Sequence, residues 1–282
     1  MPAPRKLYTP LSLLLMSLTL VACGAPDVTV QTSAAKAPGK GKVVFLAGPD
    51  SHGPGAHEHK AGSELLAAAL RDREPGYETV NVYGGWPEDP AVLAGADALV
   101  MYCDGGKHHL INEHLAAFNR MVAEGDGVVA LHYCVEVPKG SASAEALLQA
   151  IGGYFETDWS VNPHWLAEFR SLPVHPVTAG VTPFVLQDEW YFNMRFQDDG
   201  VTDILSAVAP ASTMKRGNGP HSGNDAVRKL VAEGLPQVTA WGYERTGGGR
   251  GFGYTGGHFH KNWQNDNARN LVLNAIEWTA SD

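Results

Sequence analysis

Short apolar runs alternate along most of the chain with segments in which apolar residues recur at helix spacing. The apolar runs predict four buried strands, at 42–47, 79–83, 96–102 and 128–132. The periodic segments predict three intervening helices, at 60–73, 112–124 and 143–151. Such alternation is typical of a parallel sheet that carries helices on both faces.

The second half of the chain is less regular. Between residues 154 and 235 only short strands are predicted, at 166–169, 184–186 and 204–207. Two final strands follow at 237–243 and 251–255, and the glycines between them predict a tight hairpin. Because this glycine turn precedes a strand, it lacks the helix N-terminus that binds phosphate. A closing helix is predicted at 267–278.

The first 22 residues have the pattern of an export signal. Arg5 and Lys6 precede an apolar run, roughly 11–21, that is too short and too near the N-terminus for a stable membrane span. The run ends in Leu-Val-Ala-Cys, which resembles a bacterial lipobox and predicts cleavage before Cys23 and lipidation of its thiol. An ordinary signal peptide with a chance cysteine is the alternative.

The lipobox prediction also indicates a location. Residue 24 is Gly and not Asp, so an inner-membrane retention signal is absent. We therefore expect an exported protein, lipid-anchored to the bacterial outer membrane and facing the periplasm, whose membrane contact is made through Cys23. Residues 23–40 are rich in Ala, Pro, Thr and Gly, which predicts a flexible tether. Residues 41–282 are then long enough for one α/β domain.

Charge and cysteine content narrow the range of partners. The net charge is −9 and no basic face is visible, which argues against nucleic acid as a partner. No Gly-x-Gly-x-x-Gly follows the first strand, so no nucleotide cofactor is expected. Apart from Cys23, the cysteines are Cys103 and Cys134, each close to a predicted strand end. A disulfide between them and two separate buried thiols are both compatible with an exported protein.

Histidines are concentrated just after the predicted strands. Eight of the twelve occupy such positions: His52, His57, His59, His108, His109, His132, His258 and His260. In an open parallel sheet, ligands bind beyond the carboxyl ends of the strands. Imidazole is the commonest metal ligand and the usual acid or base near neutral pH. The pattern therefore predicts a functional site at that edge of the sheet.

Two chemistries fit this edge. His132 and His258 would come from separate strand ends, and Glu136 follows one turn after His132. Imidazoles plus a carboxylate with an open position are typical of a catalytic site for zinc or a similar divalent metal. The chain has no His-Glu-x-x-His motif, and a metal-free cleft in which His132 and His258 act as acid and base is the alternative.

Further candidates lie in the less regular stretch and in the loops. Glu189 follows an apolar run and offers a carboxylate for general-base work, unless it is simply a solvated strand end. Tyr191 and Arg195 are candidate substrate contacts, although Arg195 also fits a surface ion pair. The histidine loop after the first strand and the loop aromatics, which offer flat faces to sugar rings, predict three more contacts: His52, Trp165 and Trp263.

The order of several short motifs resembles the ThuA-like (trehalose-utilisation) family. They include Val-Phe-Leu-Ala-Gly-Pro-Asp-Ser-His-Gly at 44–53, Val-Ala-Leu-His at 129–132, Ile-Gly-Gly-Tyr-Phe at 151–155, His-Pro-Val-Thr-Ala-Gly-Val at 175–181, Asp-Glu-Trp-Tyr at 188–191 and Gly-Gly-His at 256–258. The likeness spans almost all of 41–280. It implies a flavodoxin-like, class I glutamine amidotransferase-like fold, a three-layer α/β sandwich with a mostly parallel central sheet.

The resemblance also implies carbohydrate chemistry. We expect an enzyme that acts on trehalose, a glycoside or a keto-sugar by hydrolysis, β-elimination or isomerisation. Its catalytic residues would be His132, Glu136, Glu189 and His258, with His132 and His258 as metal ligands or acid–base groups and Glu136 and Glu189 as their partners.

Two other functions stay open at this point. The related amidotransferases place a nucleophilic cysteine after the strand equivalent to 128–132, which makes a Cys134–His258 dyad an alternative. The Gly-x-Cys-x-Gly elbow is missing, however, because Tyr133 and Val135 flank Cys134. The other alternative is a non-catalytic, lipid-anchored sugar-binding protein. A homo-oligomer is compatible with either function.

Overall fold

The structure, a computed structural model, describes residues 28–37 and 39–281. The predicted signal peptide and Cys23 lie outside the described residues. The strands are β1 (Thr29–Ser33), β2 (Gly41–Ala47), β3 (Tyr77–Tyr83), β4 (Ala98–Tyr102), β5 (Gly127–Leu131), β6 (Gly153–Tyr154), β7 (His164–Phe169), β8 (Phe184–Glu189), β9 (Arg195–Phe196), β10 (Val201–Val208), β11 (Pro236–Glu244) and β12 (Arg250–Tyr254). The helices are α1 (His59–Arg73), α2 (Leu115–Glu124), α3 (Ala142–Ile151), α4 (Asp225–Ala232) and α5 (Asp266–Thr279).

Eight strands form the central sheet, in the order β1-β3-β2-β4-β5-β12-β11-β10. The five inner strands from β3 to β12 run parallel, and β1, β11 and β10 add antiparallel edges. The predicted mostly parallel sheet is therefore confirmed. So is the predicted hairpin between the last two strands, β11 and β12.

Helices cover both faces of the sheet, as the alternation of elements predicted. Side chains of successive strand residues point to opposite faces. Val43 and Phe45 of β2 accordingly belong to one hydrophobic core, which includes buried residues of α1 and α5. Val44 and Leu46 belong to the other core, beneath α2 and α3. The result is the three-layer sandwich that the sequence predicted.

The irregular stretch, residues 154–235, folds largely outside the central sheet, which only its strand β10 joins. Its three predicted strands form as β7, β8 and β10, with β7 and β8 paired as an antiparallel hairpin. Helix α4 was not predicted, although Asn224 caps its first turn by accepting from the amides of Ala226 and Val227. None of the helices in the described part of the chain combines the length and the apolarity that a membrane span requires.

The tether predicted at 23–40 is too long. Residues Thr29–Ser33 pair with β3 as an edge strand, Thr29 opposite Tyr83 and Ser33 opposite Thr79. The alternating Thr-Val-Gln-Thr sequence suits a strand that exposes much of its surface. The composition of residues 23–40 predicted a flexible segment, because only a short part of it has the alternating pattern that indicates a strand.

The register of the parallel strands brings distant loops to one edge. Leu131 of β5 lies opposite Tyr254 of β12, so the residues that follow them, His132 and Thr255, are also neighbours. Ala47 of β2 and Tyr102 of β4 end at the same level. The loops after β2, β4, β5 and β12 therefore meet at the carboxyl edge of the sheet.

The close pairing of β11 and β12 supplies a test of packing. A Cβ on Gly253 would stand 2.2 Å from the ring of Trp241, a fully buried side chain whose indole N–H donates to the Ile151 carbonyl at 2.7 Å. We expect Gly253→Ala to lower the free energy of unfolding by roughly 1–3 kcal/mol, because the ring has no room to move. Urea denaturation measures this change.

Gly247 provides the matched control in the same hairpin. A Cβ there meets no atom within 4 Å, and we expect Gly247→Ala to change stability by no more than roughly 0.5–1 kcal/mol. Equal effects of the two substitutions would contradict the packing described for Trp241.

Candidate functional site

Four ionisable side chains converge at the carboxyl edge of the sheet. His57, His132, Glu189 and His258 each offer one ligand atom, and these four atoms lie within 4.8 Å of one another. The three histidines are at most 8% exposed, and the Glu189 side chain is 13% exposed. We call this group the histidine centre.

Each member of the histidine centre comes from a different element. His57 lies in the loop between β2 and α1, His132 follows β5 directly, and His258 follows β12. Glu189 is the last residue of β8, in the irregular stretch. The backbone of His57 and His132 is left-handed, with φ of 46° and 55°. Such a conformation is unusual for a residue with a Cβ and is most often found at functional positions.

The donor atoms of the centre face one another at short range. Nε2 of His57 lies 3.0 Å from Nε2 of His132 and 3.0 Å from Nδ1 of His258. Oε2 of Glu189 lies 3.2 Å from Nδ1 of His258 and 3.5 Å from Nε2 of His132. Four donor atoms thus surround one small volume.

Hydrogen bonds behind the rings fix where the protons are. Nδ1 of His132 lies 2.9 Å from the Thr255 carbonyl, and Nδ1 of His57 lies 2.9 Å from Oδ1 of Asp104. A carbonyl and a carboxylate only accept, so both Nδ1 atoms carry the hydrogen. With both rings neutral, their Nε2 atoms would present lone pairs to each other. At 3.0 Å this arrangement is favourable only when a proton or a cation lies between them.

The electrostatic surroundings of His57 oppose the protonation of its Nε2. Burial lowers the pKa of His57 to about 4, although its hydrogen bond to Asp104 acts in the opposite direction. Burial would raise the pKa of Asp104, but hydrogen bonds from His57 and Ser51 outweigh it and hold that pKa at about 2. Asp104 is thus ionised and His57 neutral near neutral pH, as a histidine ligand requires.

The carboxylate of the centre, Glu189, is hydrogen-bonded to Tyr191. Burial would raise the pKa of Glu189, but the neighbouring imidazoles of His132 and His258 outweigh burial and hold that pKa well below the ordinary value. The Tyr191 hydroxyl lies 3.3 Å from Oε2 of Glu189 and 3.4 Å from Nε2 of His132. Because burial raises the pKa of Tyr191, its hydroxyl stays protonated and donates to the carboxylate.

The predicted site residues divide between two places. His132, His258, Glu189 and Tyr191 meet in or beside the histidine centre. His52 lies on its open side, with its ring centroid 3.8 Å from that of His57. Glu136, predicted as a partner of His132, instead accepts a hydrogen bond of 3.0 Å from Nε2 of His221.

Three predicted substrate contacts have other roles. Trp165 is 3% exposed in the hydrophobic core, where its indole N–H donates to the Trp190 carbonyl at 2.9 Å. Trp263 is 1% exposed and packs near Tyr102. Neither ring offers a free face to a sugar. Arg195 donates to Oε1 of Glu156 at 2.8 Å, so the ion-pair alternative describes it better than the substrate clamp.

The Cys134–His258 alternative fails on geometry. The buried Cys134 thiol belongs to the core beneath α3, and its Sγ lies 3.2 Å from Nε2 of His109. His132 itself occupies the position directly after β5. Burial, together with the neighbouring Cys103, raises the pKa of Cys134 far above its ordinary range, which suppresses the thiolate. Cys103 and Cys134 are two free buried thiols, with no disulfide between them.

Several functional neighbours were missed by the sequence analysis. His57 was noted in the strand-end pattern but was not assigned as a ligand, and Asp104, Thr255 and His221 were not assigned at all. Asp104 lies two residues past β4, so the same strand-end rule that selected the histidines would have found it. His221 lies in an irregular loop that no local pattern connects to the sheet edge.

Comparison with known proteins assigns the chain to a family. Residues 50–279 match the sequence model of ThuA, described as trehalose utilisation. The chain belongs to the ThuA family. This membership supports a carbohydrate-related role. No curated protein matches the chain in sequence.

Solved structures show the same fold at low sequence identity. A putative ThuA-like protein from Parabacteroides merdae is 17% identical with a TM-score of 0.58, over 87% of this chain and 91% of that one. Another from Bacteroides uniformis is 18% identical with a TM-score of 0.54, over 88% and 94%. A glutamine amidotransferase from Thermotoga maritima also matches, at 7% identity and a TM-score of 0.48, over 86% and 98%.

The buried thiols give a direct test of the dyad. We expect Cys103 and Cys134 to resist alkylation by iodoacetamide in the native protein and to react fully in denaturant, because both are buried and at least Cys134 is protonated. Peptide mass spectrometry separates them from Cys23. Rapid native labelling of Cys134, with loss of any activity, would restore the nucleophile hypothesis.

Proposed function

We propose that the histidine centre binds one divalent metal ion, zinc or a similar cation, and that the protein is a metal-dependent enzyme acting on a carbohydrate. The observation that carries the proposal is the facing pair of imidazole Nε2 atoms 3.0 Å apart, in two rings whose Nδ1 atoms are each held by an acceptor behind them. A bound cation turns the repulsion between their lone pairs into two ligand bonds. Without a metal, a proton would have to lie between the two rings, and the burial of His57 opposes its protonation.

The donor set matches such a cation in kind and in spacing. Three imidazoles and one carboxylate are the ligands typical of catalytic zinc and related sites. In a tetrahedral site, ligand bonds of about 2.0–2.1 Å place donor atoms about 3.3–3.4 Å apart. The four measured separations between neighbouring donors run from 3.0 to 3.5 Å.

The surrounding residues support the ligands. Metal-binding histidines commonly donate their second N–H to a carboxylate or a backbone carbonyl, which fixes the ring and increases its basicity. Asp104 does this for His57 and the Thr255 carbonyl does it for His132. Ser51 donates to the same Asp104 oxygen at 2.8 Å and holds the carboxylate in place.

The chemistry follows from what each group can do. A bound cation supplies a Lewis acid that polarises a substrate oxygen or lowers the pKa of a water molecule. Tyr191 donates to Glu189 and keeps that carboxylate oriented. His164, 48% exposed, lies 3.7 Å from the other Glu189 oxygen and marks the side open to solvent. Substrate would therefore approach past His52 and His164.

Carbohydrate is the substrate class that the family supports. Membership of the ThuA family, described as trehalose utilisation, favours a sugar or a sugar derivative. Hydrolysis or β-elimination at such a substrate needs a base near a water or a C–H bond and a positive group near the developing oxyanion. Export and the lipid anchor at Cys23 stay predictions from the sequence. A non-catalytic sugar-binding protein would place the same cation in contact with sugar hydroxyls without turnover.

Metal content tests the proposal directly. Elemental analysis of the purified protein, grown in metal-supplemented medium, is expected to give about one equivalent of zinc, manganese, nickel or iron. The double variant His132→Ala/His258→Ala should lose it, because two of four ligands are gone. His108→Ala removes an exposed imidazole outside the centre and serves as the control.

Circular dichroism must show that the double variant is folded. A parent without metal would exclude the metal-dependent proposal. Equal metal content in parent and double variant would place the ion elsewhere.

The carboxylate behind His57 gives a second, graded test. Asp104→Asn keeps the shape of the side chain and removes its charge, so it weakens the support for His57 without removing a ligand. We expect zinc affinity, measured by competition with a chelating dye, to fall about 10–100-fold. Asp203→Asn on β10, outside the histidine centre, is the control and should leave affinity unchanged. An unaltered affinity in Asp104→Asn would show that His57 does not bind the ion.

A further inference from the structure

Glu136 and His221 form a second polar pair near the histidine centre. Glu136 is 3% exposed, and its Oε1 accepts from Nε2 of His221 at 3.0 Å. Its other oxygen, Oε2, is buried without a hydrogen-bond partner among the described residues. A buried carboxylate oxygen that lacks a partner is costly, and such atoms are concentrated where a ligand or a water is bound.

The His221 ring is held firmly but faces the solvent side. Its backbone carbonyl accepts from the amide of Asn162 at 3.2 Å and from Arg216 at 2.6 Å. Phe155, fully buried, packs behind the ring at a centroid distance of 5.6 Å. The His221 side chain is 38% exposed, and its Nδ1 has no hydrogen-bond partner among the described residues.

The pair and the histidine centre are connected through aromatic side chains. Tyr191 packs against His132 at a centroid distance of 4.9 Å and against Phe155 at 5.4 Å, so a chain of buried aromatic contacts leads from the centre to His221. A Cβ on Gly106 would stand 3.7 Å from Oε1 of Glu136 and 3.8 Å from the Tyr133 hydroxyl. The glycine therefore leaves open space beside both polar groups.

The charges around His221 favour its protonated form. The hydrogen bond to Glu136 raises the pKa of His221, and burial opposes it. Arg216 also lowers this pKa, whereas the charge of Glu189 in the histidine centre raises it. The net direction is upward, so His221 keeps a proton on Nδ1 to higher pH than an ordinary histidine.

We propose that His221, oriented by Glu136, is the general acid that protonates the leaving oxygen of a carbohydrate substrate held at the histidine centre. This inference rests on the proposed function and narrows it to hydrolysis or β-elimination, since isomerisation releases no leaving oxygen. Glu136 is a positioning residue, because it acts through His221. The substrate is then a glycoside or another sugar ether, long enough to reach from the centre to His221.

The proton movements balance in hydrolysis. Water adds to the carbon, and the C–O bond breaks with its electron pair going to the leaving oxygen. That oxygen takes the proton from Nδ1 of His221. The proton given up by the entering water reaches the neutral imidazole once the alcohol has left, so one water is consumed and two hydroxyl products are formed. In β-elimination the proton removed from carbon restores His221 in the same way.

Substrates with different leaving groups test the acid. The zinc-loaded protein is assayed with trehalose and 4-nitrophenyl α-glucoside, and with the keto derivatives of both. Sugar leaving groups need a proton, so His221→Gln should lower kcat for the trehalose compounds about 10²–10⁴-fold. Nitrophenolate leaves without one, so the nitrophenyl compounds should lose less than about tenfold. His108→Gln, at an exposed surface position, is the control.

The pH profile tests the role of Glu136. Activity that needs protonated His221 is lost as pH rises through its pKa. Glu136→Gln removes the charge that raises this pKa, so the alkaline limb of kcat should move to lower pH. A pH titration of the zinc-loaded protein followed by histidine NMR should show the same decrease in the pKa of His221. A purely structural role for Glu136 would lower activity without moving the limb.

The outcomes separate this inference from the proposed function. Zinc content should stay at one equivalent in His221→Gln and Glu136→Gln, because neither residue is a ligand. Equal losses on both leaving-group classes, or an unmoved alkaline limb, would overturn the general-acid role. If the zinc-loaded parent turns over none of the four compounds, the leaving-oxygen role is wrong, while zinc content alone still decides the proposed centre.

Discussion

The hydrogen bond from Nδ1 of His132 to the Thr255 carbonyl connects the sheet to the chemistry of the site. It exists because β5 and β12 are parallel neighbours in a register that sets Leu131 opposite Tyr254. That one contact fixes the tautomer of His132 and aims its Nε2 at His57 and Glu189. A shift of register by one residue would turn the alternate side chains to the other face and disperse the centre.

The backbone of the histidine loops shows what this arrangement costs. Of the five non-glycine residues with positive φ among those described, three are His52, His57 and His132. A left-handed conformation costs roughly 1–2 kcal/mol for a residue with a Cβ, and glycine would avoid that cost. Residues held in this conformation cluster at active sites, which agrees with the proposed role of these histidines. Hydrogen bonds to Asp104 and to the Thr255 carbonyl hold two of these rings in place.

The sequence was informative where a single local rule determined the outcome. Apolar runs and helix spacing depend on near neighbours in the chain, so the parallel sheet and four of the five helices could be predicted. The placement of His132 and His258 follows from strand ends alone. Trp165 and Trp263 lie in loop-like sequence, yet their burial depends on elements far away in the chain, which local polarity cannot reveal. The partner of Glu136 was missed for the same reason, since His221 is 85 residues away.

The histidine centre and the Glu136–His221 pair differ in solvent exposure, and this difference fits the two chemical roles proposed for them. The imidazoles of the histidine centre are buried, and the second nitrogens of His57 and His132 are held by Asp104 and the Thr255 carbonyl, as in sites that bind a metal ion. The Glu136–His221 pair instead places an exchangeable proton on a half-exposed ring, backed by a buried carboxylate. A group that must lose and regain a proton in every turnover needs access to water, whereas a group that holds a cation needs to exclude it. A chain of buried aromatic contacts, from His132 through Tyr191 and Phe155 to His221, connects the two groups.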